Sequence, residues 1–182
     1  EIASCLVGSE MCIRDSVSFV DAVLLMAASP RPIYFVMDHR IFRVPVLGWL
    51  FRLAKAIPIA PYKEDPKTYE AAFDRAAQVL REGDLLAIFP EGGITKDGQL
   101  QEFKGGIMKI IERARAEGVE APVIPMALGG LWGSFFSRDP QKGVFRRFWS
   151  RIDLVAGAPI EATAATRQVL QAEVKALRGD NR

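Results

Sequence analysis

Residues 83–93, GDLLAIFPEGG, predict a short buried strand that runs into a glycine-rich loop. Gly83 and Asp84 turn the chain, and the following residues 85–89 are apolar without interruption. A strand that is apolar throughout is typical of a parallel sheet with both faces covered. Open α/β sheets place their functional sites in the loops that follow such strands, so the same stretch indicates where chemistry is expected.

Strands and helices alternate on both sides of this stretch. A Ser18/Asp21 capping pattern precedes an apolar helical run, Asp65-Pro66 opens an amphipathic helix, and Gly118 ends another. This alternation predicts a single α/β domain whose mainly parallel central sheet is flanked by helices. The expected strands are 32–37, 57–59, 85–89, 123–128 and 152–156, and the expected helices are 20–28, 46–55, 66–81, 106–117 and 164–177.

Composition agrees with one globular domain. The chain has 182 residues, of which 49% are hydrophobic and 25% charged, and its net charge is +2. No apolar run reaches the roughly 18 residues that a membrane-spanning helix needs, and no signal-peptide pattern is present. Cys5 and Cys12 have neither metal-ligand spacing nor a disulfide framework, so no metal site is expected.

The loop after the 85–89 strand has the features of an anion site. Two glycines allow close backbone approach, and FKGG at 103–106 opens the next helix, whose first N–H groups favour an anion. Glu91 is placed to accept hydrogen bonds from a polyol or to orient the loop. Glycines that merely turn the chain are the alternative, and spacing alone leaves it open. The candidate substrate-binding residues are Phe89, Pro90, Glu91, Gly92, Gly93 and Lys104.

FPEGG at 89–93, FKGG at 103–106 and APVIPMAL at 121–128 together resemble the glycerophospholipid acyltransferase family. The resemblance covers about residues 17–159. VMDHRIFRVPVLGWLFRLAKAIPIAP and GLWGSFFSR are most similar to the acyltransferase domain of bacterial fusions with a lysophospholipid transporter, also described as 2-acylglycerophosphoethanolamine acyltransferases. The resemblance implies transfer of a fatty acyl chain from an acyl-carrier-protein or coenzyme A thioester, without a cofactor, to a glycerol hydroxyl of a lysophospholipid or acylglycerol phosphate.

Two departures from the family pattern concern the acceptor. Ile94 stands where the family usually has an arginine after the Glu-Gly pair, and Pro61 stands at the position of a second arginine. Both arginines are associated by the resemblance with a phosphate acceptor. Their replacement suggests an acceptor with a larger head group than plain lysophosphatidic acid.

The family's upstream motif, Asn-His-x-x-x-x-Asp, is incomplete in this chain. Asp21 falls on the aspartate that orients the catalytic histidine, but Ser16 occupies the histidine position and Asp15 the asparagine position. A serine hydroxyl has too high a pKa to act as a general base at neutral pH. The chain as given is therefore expected to be inactive, and a helix-capping role alone also explains Asp21.

His39 is the single histidine of the chain, and it follows the predicted strand 32–37. A strand's carboxyl end is near the expected site, so His39 is a candidate for a substitute base. The family motif has its own local spacing, and nothing in the sequence brings His39 to Asp21. A polar surface or acceptor-pocket role for His39 is the preferred interpretation.

Residues 5–16 resemble the translation of a transposase adapter used in sequencing libraries, with LVGSEMCIRD as the matching run. On this interpretation native sequence starts at Val17, residues 1–16 are not native, and the acyltransferase domain comprises residues 17–182. The motif's Asn-His pair and the strand before it would then have been lost from this chain. A divergent N-terminus in a pseudoenzyme is the alternative.

Basic residues next to aromatic ones suggest contact with a membrane. One group lies in residues 40–55 and another in residues 146–151, while Trp132, Phe135 and Phe136 could line an acyl-chain groove. For residues 40–55, a core helix with a solvated basic face is an equal alternative. The expected partners are a membrane surface, a lysophospholipid, the acyl donor's carrier and a fused transporter, at the cytoplasmic face of the inner membrane; nucleic acid is not expected.

Two functional hypotheses therefore stand. The first is a membrane-associated acyltransferase in which Asp21 and a lost histidine form the catalytic pair. The second is a non-catalytic lipid- or phosphate-binding module that keeps the glycine-rich loop but not the base. The residue at position 16 distinguishes them.

Overall fold

Strands and helices alternate through the part of the chain that the computed structural model describes, residues 4–9, 18–43, 45–92, 100–129 and 153–178. The strands are β1 (Ser4–Ser9), β2 (Ile33–Asp38), β3 (Ile57–Ile59), β4 (Leu85–Ile88), β5 (Val123–Gly129) and β6 (Asp153–Ala156). The helices are α1 (Ser18–Ala28), α2 (Pro45–Leu53), α3 (Pro66–Arg81), α4 (Gly106–Ala116) and α5 (Arg167–Arg178), and a 3₁₀ turn spans His39–Arg43.

The strands form one six-stranded sheet in the order β3-β2-β4-β1-β5-β6. All neighbouring pairs are parallel except β5 and β6, which are antiparallel at one edge. Because the connections return through helices, the carboxyl ends of the five parallel strands lie at the same end of the sheet. This end is here called the carboxyl edge, as distinct from the edge strands β3 and β6. The predicted mainly parallel α/β fold is confirmed.

Helices cover both faces of the sheet, as the apolar strand sequences predicted. Tyr34 and Val36 of β2 pack in a cluster with α3, α4 and α5, whereas Ile33, Phe35 and Met37 pack on the opposite face with α1 and α2. Successive residues of a strand point to opposite faces, so a strand buried on both sides has no polar position. β2 follows this rule, because residues 33–37 are all buried.

Residues 4–9, inside the segment predicted to be adapter-derived, form a strand, and the predicted loss of the native strand stays a prediction. β1 lies between β4 and β5, with Ser4 opposite both Leu86 and Val123. Two central strands separated by a gap would leave buried backbone N–H and C=O groups unpaired, so any short apolar segment able to pair with both is stabilised there. The prediction that residues 1–16 are adapter-derived concerns the origin of this segment and stays a prediction.

Most helix boundaries agree with the predicted ones. The Asp65 side chain accepts hydrogen bonds from the backbone N–H groups of Lys67 and Thr68, with Pro66 in the first turn of α3. Gly118, which has a φ of 79°, follows α4. The closing helix is shorter than predicted, because it begins at Arg167 rather than near 164. Among the described residues no helix is both long and apolar enough to cross a membrane.

Candidate active site

The loop after β4 leaves the sheet at the carboxyl edge and is anchored to the segment that precedes α4. Phe89 is partly buried against the cluster beneath α1 and α2, and Pro90 is buried. The Pro90 carbonyl accepts a hydrogen bond from the Lys104 backbone N–H at 2.8 Å. Two segments that are distant in sequence are thereby held side by side, as the sequence analysis expected from the strand–loop–helix order.

Glu91 is the one buried charged residue among those whose burial the structure describes, with 5% of its surface exposed. One of its carboxylate oxygens, Oε2, accepts the Gln101 backbone N–H at 3.0 Å. A buried carboxylate is stable only when hydrogen bonds replace the water that it loses, so this bond fixes the loop against the segment before α4. Of the two roles predicted for Glu91, this geometry is that of a loop-orienting group.

Gly92 adopts a φ of 58°, the left-handed conformation that glycine adopts without strain. Its carbonyl accepts a hydrogen bond from the Lys104 ammonium at 2.9 Å. A Cβ added at Gly92 would lie 2.8 Å from Lys104 Cδ, so the lysine side chain occupies the space that glycine leaves. Lys104 is otherwise exposed, and an ammonium has three donors, so the bond to Gly92 does not exhaust its capacity.

α4 begins with glycines beside this lysine. Gly105 makes no side-chain capping hydrogen bond, and a Cβ added to it would meet no atom within 4 Å. The first N–H groups of a helix have no partner within the helix and carry partial positive charge. Phe103, 1% exposed, anchors the start of α4 in the core beside Phe73. The result is an open helix N-terminus with a lysine next to it.

α1 brings Asp21, the predicted catalytic residue, to the carboxyl edge. β1 lies beside β4, and the chain enters α1 from the carboxyl end of β1, so the backbone of Asp21 in the first turn of α1 lies near this edge. The Asp21 side chain, Ser16 and Gly93 lie outside the described part. The structure therefore brings together Phe89, Pro90, Glu91, Gly92 and Lys104, and it leaves the Asp21–Ser16 relation undescribed.

His39 leaves β2 at the same edge, since Val36 pairs with Ile88 and both His39 and Glu91 follow that pair by three residues. Its side chain is 19% exposed and its Nδ1 lies 3.4 Å from Asp38 Oδ1 without a hydrogen bond. Asp38 Oδ1 instead accepts the Arg40 backbone N–H at 2.8 Å. The His39 side chain is partly buried, and its polar-surface and acceptor-pocket roles both stay predictions.

One carboxyl near His39, that of Asp65, has its pKa lowered by hydrogen bonds. The Thr68 hydroxyl and backbone N–H, which donate to Asp65, hold the pKa of that carboxyl below its ordinary value, and the charge of His39 acts weakly in the same direction. Glu64 of the same turn pairs with Arg40. These contacts stabilise the turn between β3 and α3 rather than preparing a base.

The basic and aromatic residues of 40–55 divide between surface and core. Trp49 is 64% exposed, whereas Phe51 is buried under the sheet and cannot contact a bilayer. Residues two positions apart on an α-helix differ by about 200° in direction, which is why Trp49 and Phe51 point to opposite sides of α2. The second predicted group, residues 146–151, and the predicted groove residues Trp132, Phe135 and Phe136 lie outside the described residues.

Sequence reasoning missed the supporting contacts of the loop. The Gln101 backbone is the partner of Glu91, and the Gln171 side chain of α5 reaches the Phe103 N–H and the Gln101 carbonyl through long hydrogen bonds of 3.5 Å. Gln171 is distant in sequence and lies on a helix with a polar face. No local signal distinguishes it from other exposed glutamines.

Comparison with known proteins identifies the family. Residues 16–129, more than half of the chain, match the Acyltransferase family. The 1-acyl-sn-glycerol-3-phosphate acyltransferase BAT2, chloroplastic, of Brassica napus is 32% identical over 113 residues, covering 62% of this chain and 30% of that protein. The 1-acyl-sn-glycerol-3-phosphate acyltransferase of Limnanthes douglasii is 30% identical over 135 residues, covering 74% of this chain and 44% of that protein.

A solved structure has the same fold. The crystal structure of the 1-acyl-sn-glycerophosphate (LPA) acyltransferase PlsC from Thermotoga maritima superposes with a TM-score of 0.63 at 17% identity, covering 97% of this chain and 65% of that one. The chain spans less than half of the length of the curated relatives described above. The family match rests on residues 16–129, which include the loop after β4 and the start of α4, and on this evidence the chain belongs to the Acyltransferase family.

Proposed function

We propose that the protein transfers a fatty acyl chain from an acyl thioester to the free glycerol hydroxyl of an acylglycerol phosphate or lysophospholipid. The observation that carries the proposal is the loop at residues 89–92, which Glu91 fixes against Gln101 beside Lys104 and the open start of α4. Several relatives are named 1-acyl-sn-glycerol-3-phosphate acyltransferases, and their names supply the acceptor class.

The start of α4 would bind the acceptor's phosphate. Lys104 and the helix N–H groups offer positive charge to a phosphate, and Gly105 leaves room for it. Glu91, being buried and bonded to Gln101, positions these groups instead of contacting the phosphate, since two negative charges would repel. Phe89 and Pro90 hold the loop at the end of β4.

The chemical step needs a base at position 16. A base removes the proton of the glycerol hydroxyl, the oxygen attacks the thioester carbonyl, the C–S bond breaks, and the base returns the proton to the sulfur, which leaves as a thiol. Asp21 would orient the imidazole of a histidine at position 16. Ser16 cannot accept that proton at neutral pH, so the chain as given has little or no acyl transfer activity.

The finer identity of the substrates is also proposed. Ile94 and Pro61, where the family has arginines, favour an acceptor with a larger head group than plain lysophosphatidic acid. The donor is an acyl-carrier-protein or coenzyme A thioester, and no metal or cofactor takes part. The reaction takes place at the cytoplasmic face of the inner membrane, where the chain is peripheral or tethered by a fused transporter domain.

Restoring the motif tests this function. The double substitution Asp15→Asn and Ser16→His should raise acyl transfer to 1-acylglycerol 3-phosphate by about 100-fold or more over the chain as given, the usual contribution of a general base. Release of thiol from a palmitoyl-coenzyme A donor measures the rate. Ser16→Ala, and the restored chain with Asp21→Asn, are the controls that should stay near the background rate.

The serine at position 16 favours a second candidate, a non-catalytic module that binds lipid phosphate. In that case the restored variant would stay inactive with every acceptor and donor. Binding of 1-acylglycerol 3-phosphate would persist and would weaken on Lys104→Met. Turnover by the unsubstituted chain at the rate of the restored variant would contradict the expected inactivity of the chain as given and would exclude the non-catalytic candidate.

A further inference from the structure

A second cationic cleft lies at the opposite side of the sheet from β6, between the edge strand β3 and helix α3. It encloses about 470 Å³. Its polar lining is Tyr34, Lys55, Thr68 and Arg75, and its apolar lining includes Pro58 and Ala72. None of these residues belongs to the loop at 89–92 or to the start of α4.

Two cations share one aromatic ring in this cleft. Lys55 Nζ lies 5.0 Å from the centroid of the Tyr34 ring, and Arg75 Cζ lies 5.4 Å from the same centroid. Arg75 also pairs with Glu82 at 3.3 Å, on the outside of α3. Within the described ranges, Lys55 has no carboxylate partner. Glu82 partly offsets the charge of Arg75, so the positive charge without a carboxylate partner in the described part of the cleft is that of Lys55.

The backbone of Lys55 is unusual. Its φ of 55° makes it the one residue other than glycine with positive φ in the described part of the chain. It follows α2, where the Ala56 N–H bonds to the Phe51 carbonyl at 2.9 Å, a closing turn in which glycine or asparagine is usual. A lysine in the left-handed conformation costs stability. Such strain is typical of positions whose side chain has a function, and here the side chain reaches the cleft.

We propose that this cleft binds a phosphate group attached to an uncharged, largely apolar body. Lys55 and Arg75 supply the charge that a phosphate needs, and the Tyr34 ring keeps both cations at the cleft. Pro58 and the alanines of α3 give the attached body an apolar surface. The proposal does not depend on the acyl transfer reaction, because the acceptor's phosphate is assigned to the start of α4.

Chemical-shift mapping of the full chain distinguishes the two phosphate sites. Titration with phenyl phosphate should shift the backbone amides of residues 55–57 and 71–75, with saturation in the millimolar range. Inorganic phosphate should shift the same amides but bind more weakly, since it lacks the apolar body. Shifts confined to residues 92 and 104–107 would overturn this proposal while supporting the site at α4, and the absence of any shift would also overturn it.

Two double variants that remove the same charge test whether Lys55 and Arg75 bind the phosphate. Lys55→Met with Arg75→Met should weaken phenyl phosphate binding at residues 55–57 by about tenfold or more. Lys175→Met with Arg81→Met removes the same charge from exposed positions of α5 and α3 and should leave binding unchanged. Equal loss in both pairs would show that net charge alone matters, and would overturn the site.

Lys55→Gly separates the backbone from the charge. It should weaken binding as much as Lys55→Met alone does, yet raise the unfolding temperature by a few degrees, because glycine adopts φ near 55° without strain. Unchanged binding in Lys55→Gly would overturn the role of Lys55. Dihexanoyl phosphatidate and phenyl phosphate then identify the natural source: tighter binding of the former indicates a lipid, tighter binding of the latter a soluble ester, and either order supports the site.

Discussion

α3 and α4 both begin at the carboxyl edge of the sheet, but their N-terminal ends are capped differently. At α3, Asp65 accepts hydrogen bonds from the backbone of Lys67 and Thr68, both at 3.1 Å, and from the Thr68 hydroxyl at 2.6 Å. At α4, Gly105 supplies no side-chain acceptor. The start of α3 is capped by a side chain of its own sequence, whereas the N-cap residue of α4 provides no such acceptor, which fits the phosphate site proposed there.

The difference indicates how the sequence divides stability from function. A capping side chain stabilises a helix start, and a glycine in its place forgoes that stabilisation. At α4 the missing acceptor is accompanied by an exposed Lys104, a left-handed Gly92 and a buried Glu91 that fixes the segment. α3 also has an exposed lysine in its first turn, Lys67, but its start is capped by Asp65.

The largest expected effect is that of Gly92→Ala. Alanine at a φ of 58° is strained, and its Cβ would lie 2.8 Å from Lys104 Cδ, so the free energy of unfolding should fall by about 1–3 kcal/mol. Urea unfolding measures the loss. Gly105→Ala is the matched control, because its φ is −69° and its Cβ would meet open space. Equal losses in the two variants would contradict the special backbone of Gly92.

The Lys104→Ala background sharpens this result. Removing the lysine side chain relieves the close contact but not the backbone strain, so Gly92→Ala should cost less in that background. An unchanged cost would show that backbone conformation alone requires glycine at 92.

A smaller effect is expected when α4 is given an acceptor of its own. Gly105→Asp places a negative charge at the helix start and should raise the free energy of unfolding by about 0.5 kcal/mol. In the variant restored at positions 15 and 16, the same substitution should raise the KM for the phosphate acceptor by about tenfold, because the carboxylate competes with the phosphate. Gly105→Asn, which is neutral, should leave KM nearly unchanged; an equal rise would contradict a phosphate site at this helix start.

The last expected effect concerns the capped helix and its dependence on pH. Hydrogen bonds from Thr68, aided by the Lys67 N–H, hold the folded-state pKa of Asp65 below its ordinary value of 3.8. A lowered folded-state pKa contributes stability above the unfolded value, and this contribution is lost as pH falls through the folded value. Asp65→Ala should therefore lower the unfolding temperature by a few degrees at pH 7 and flatten its decline below about pH 4.

Asp65→Asn separates the cap from the charge. Asparagine also caps helices, so it should retain most of the stability at pH 7 while lacking the carboxyl's titration. Thermal unfolding between pH 7 and pH 3 distinguishes the variants. A decline with pH in Asp65→Asn as steep as in the unsubstituted chain would assign the effect to other carboxylates, of which Glu70, with a pKa lowered by the Lys109 ammonium, is the first to consider.

Local patterns predicted most elements because they depend on short-range chemistry. The Asp65-Pro66 pair, the apolar run after Asp84 and the glycine at 118 each act within one turn, and the structure has the corresponding elements. The position of β1 could not be predicted in this way. Its pairing with β4 and β5 requires two strands that are about 80 and 120 residues away along the chain.

The candidate site was predicted in part for the same reason. The loop and Lys104 were found from glycines next to a strand and a helix start, but the burial of Glu91 and its bond to Gln101 depend on packing. Trp49 and Phe51 illustrate the limit. Their sequence pattern placed both in one predicted membrane-contact group, but Trp49 is exposed and Phe51 is buried in the core. The cleft at Tyr34, Lys55 and Arg75 combines three segments and has no local signature.

The sequence by itself determined the α/β class, the order of the elements after β1 and the glycine-rich loop, because each follows from residue type and short spacing. Tertiary structure decided which strands are neighbours, which side chains are buried and which cations share the Tyr34 ring. Those outcomes depend on contacts between distant segments, whose free energy arises only when the sheet has assembled and its faces are covered.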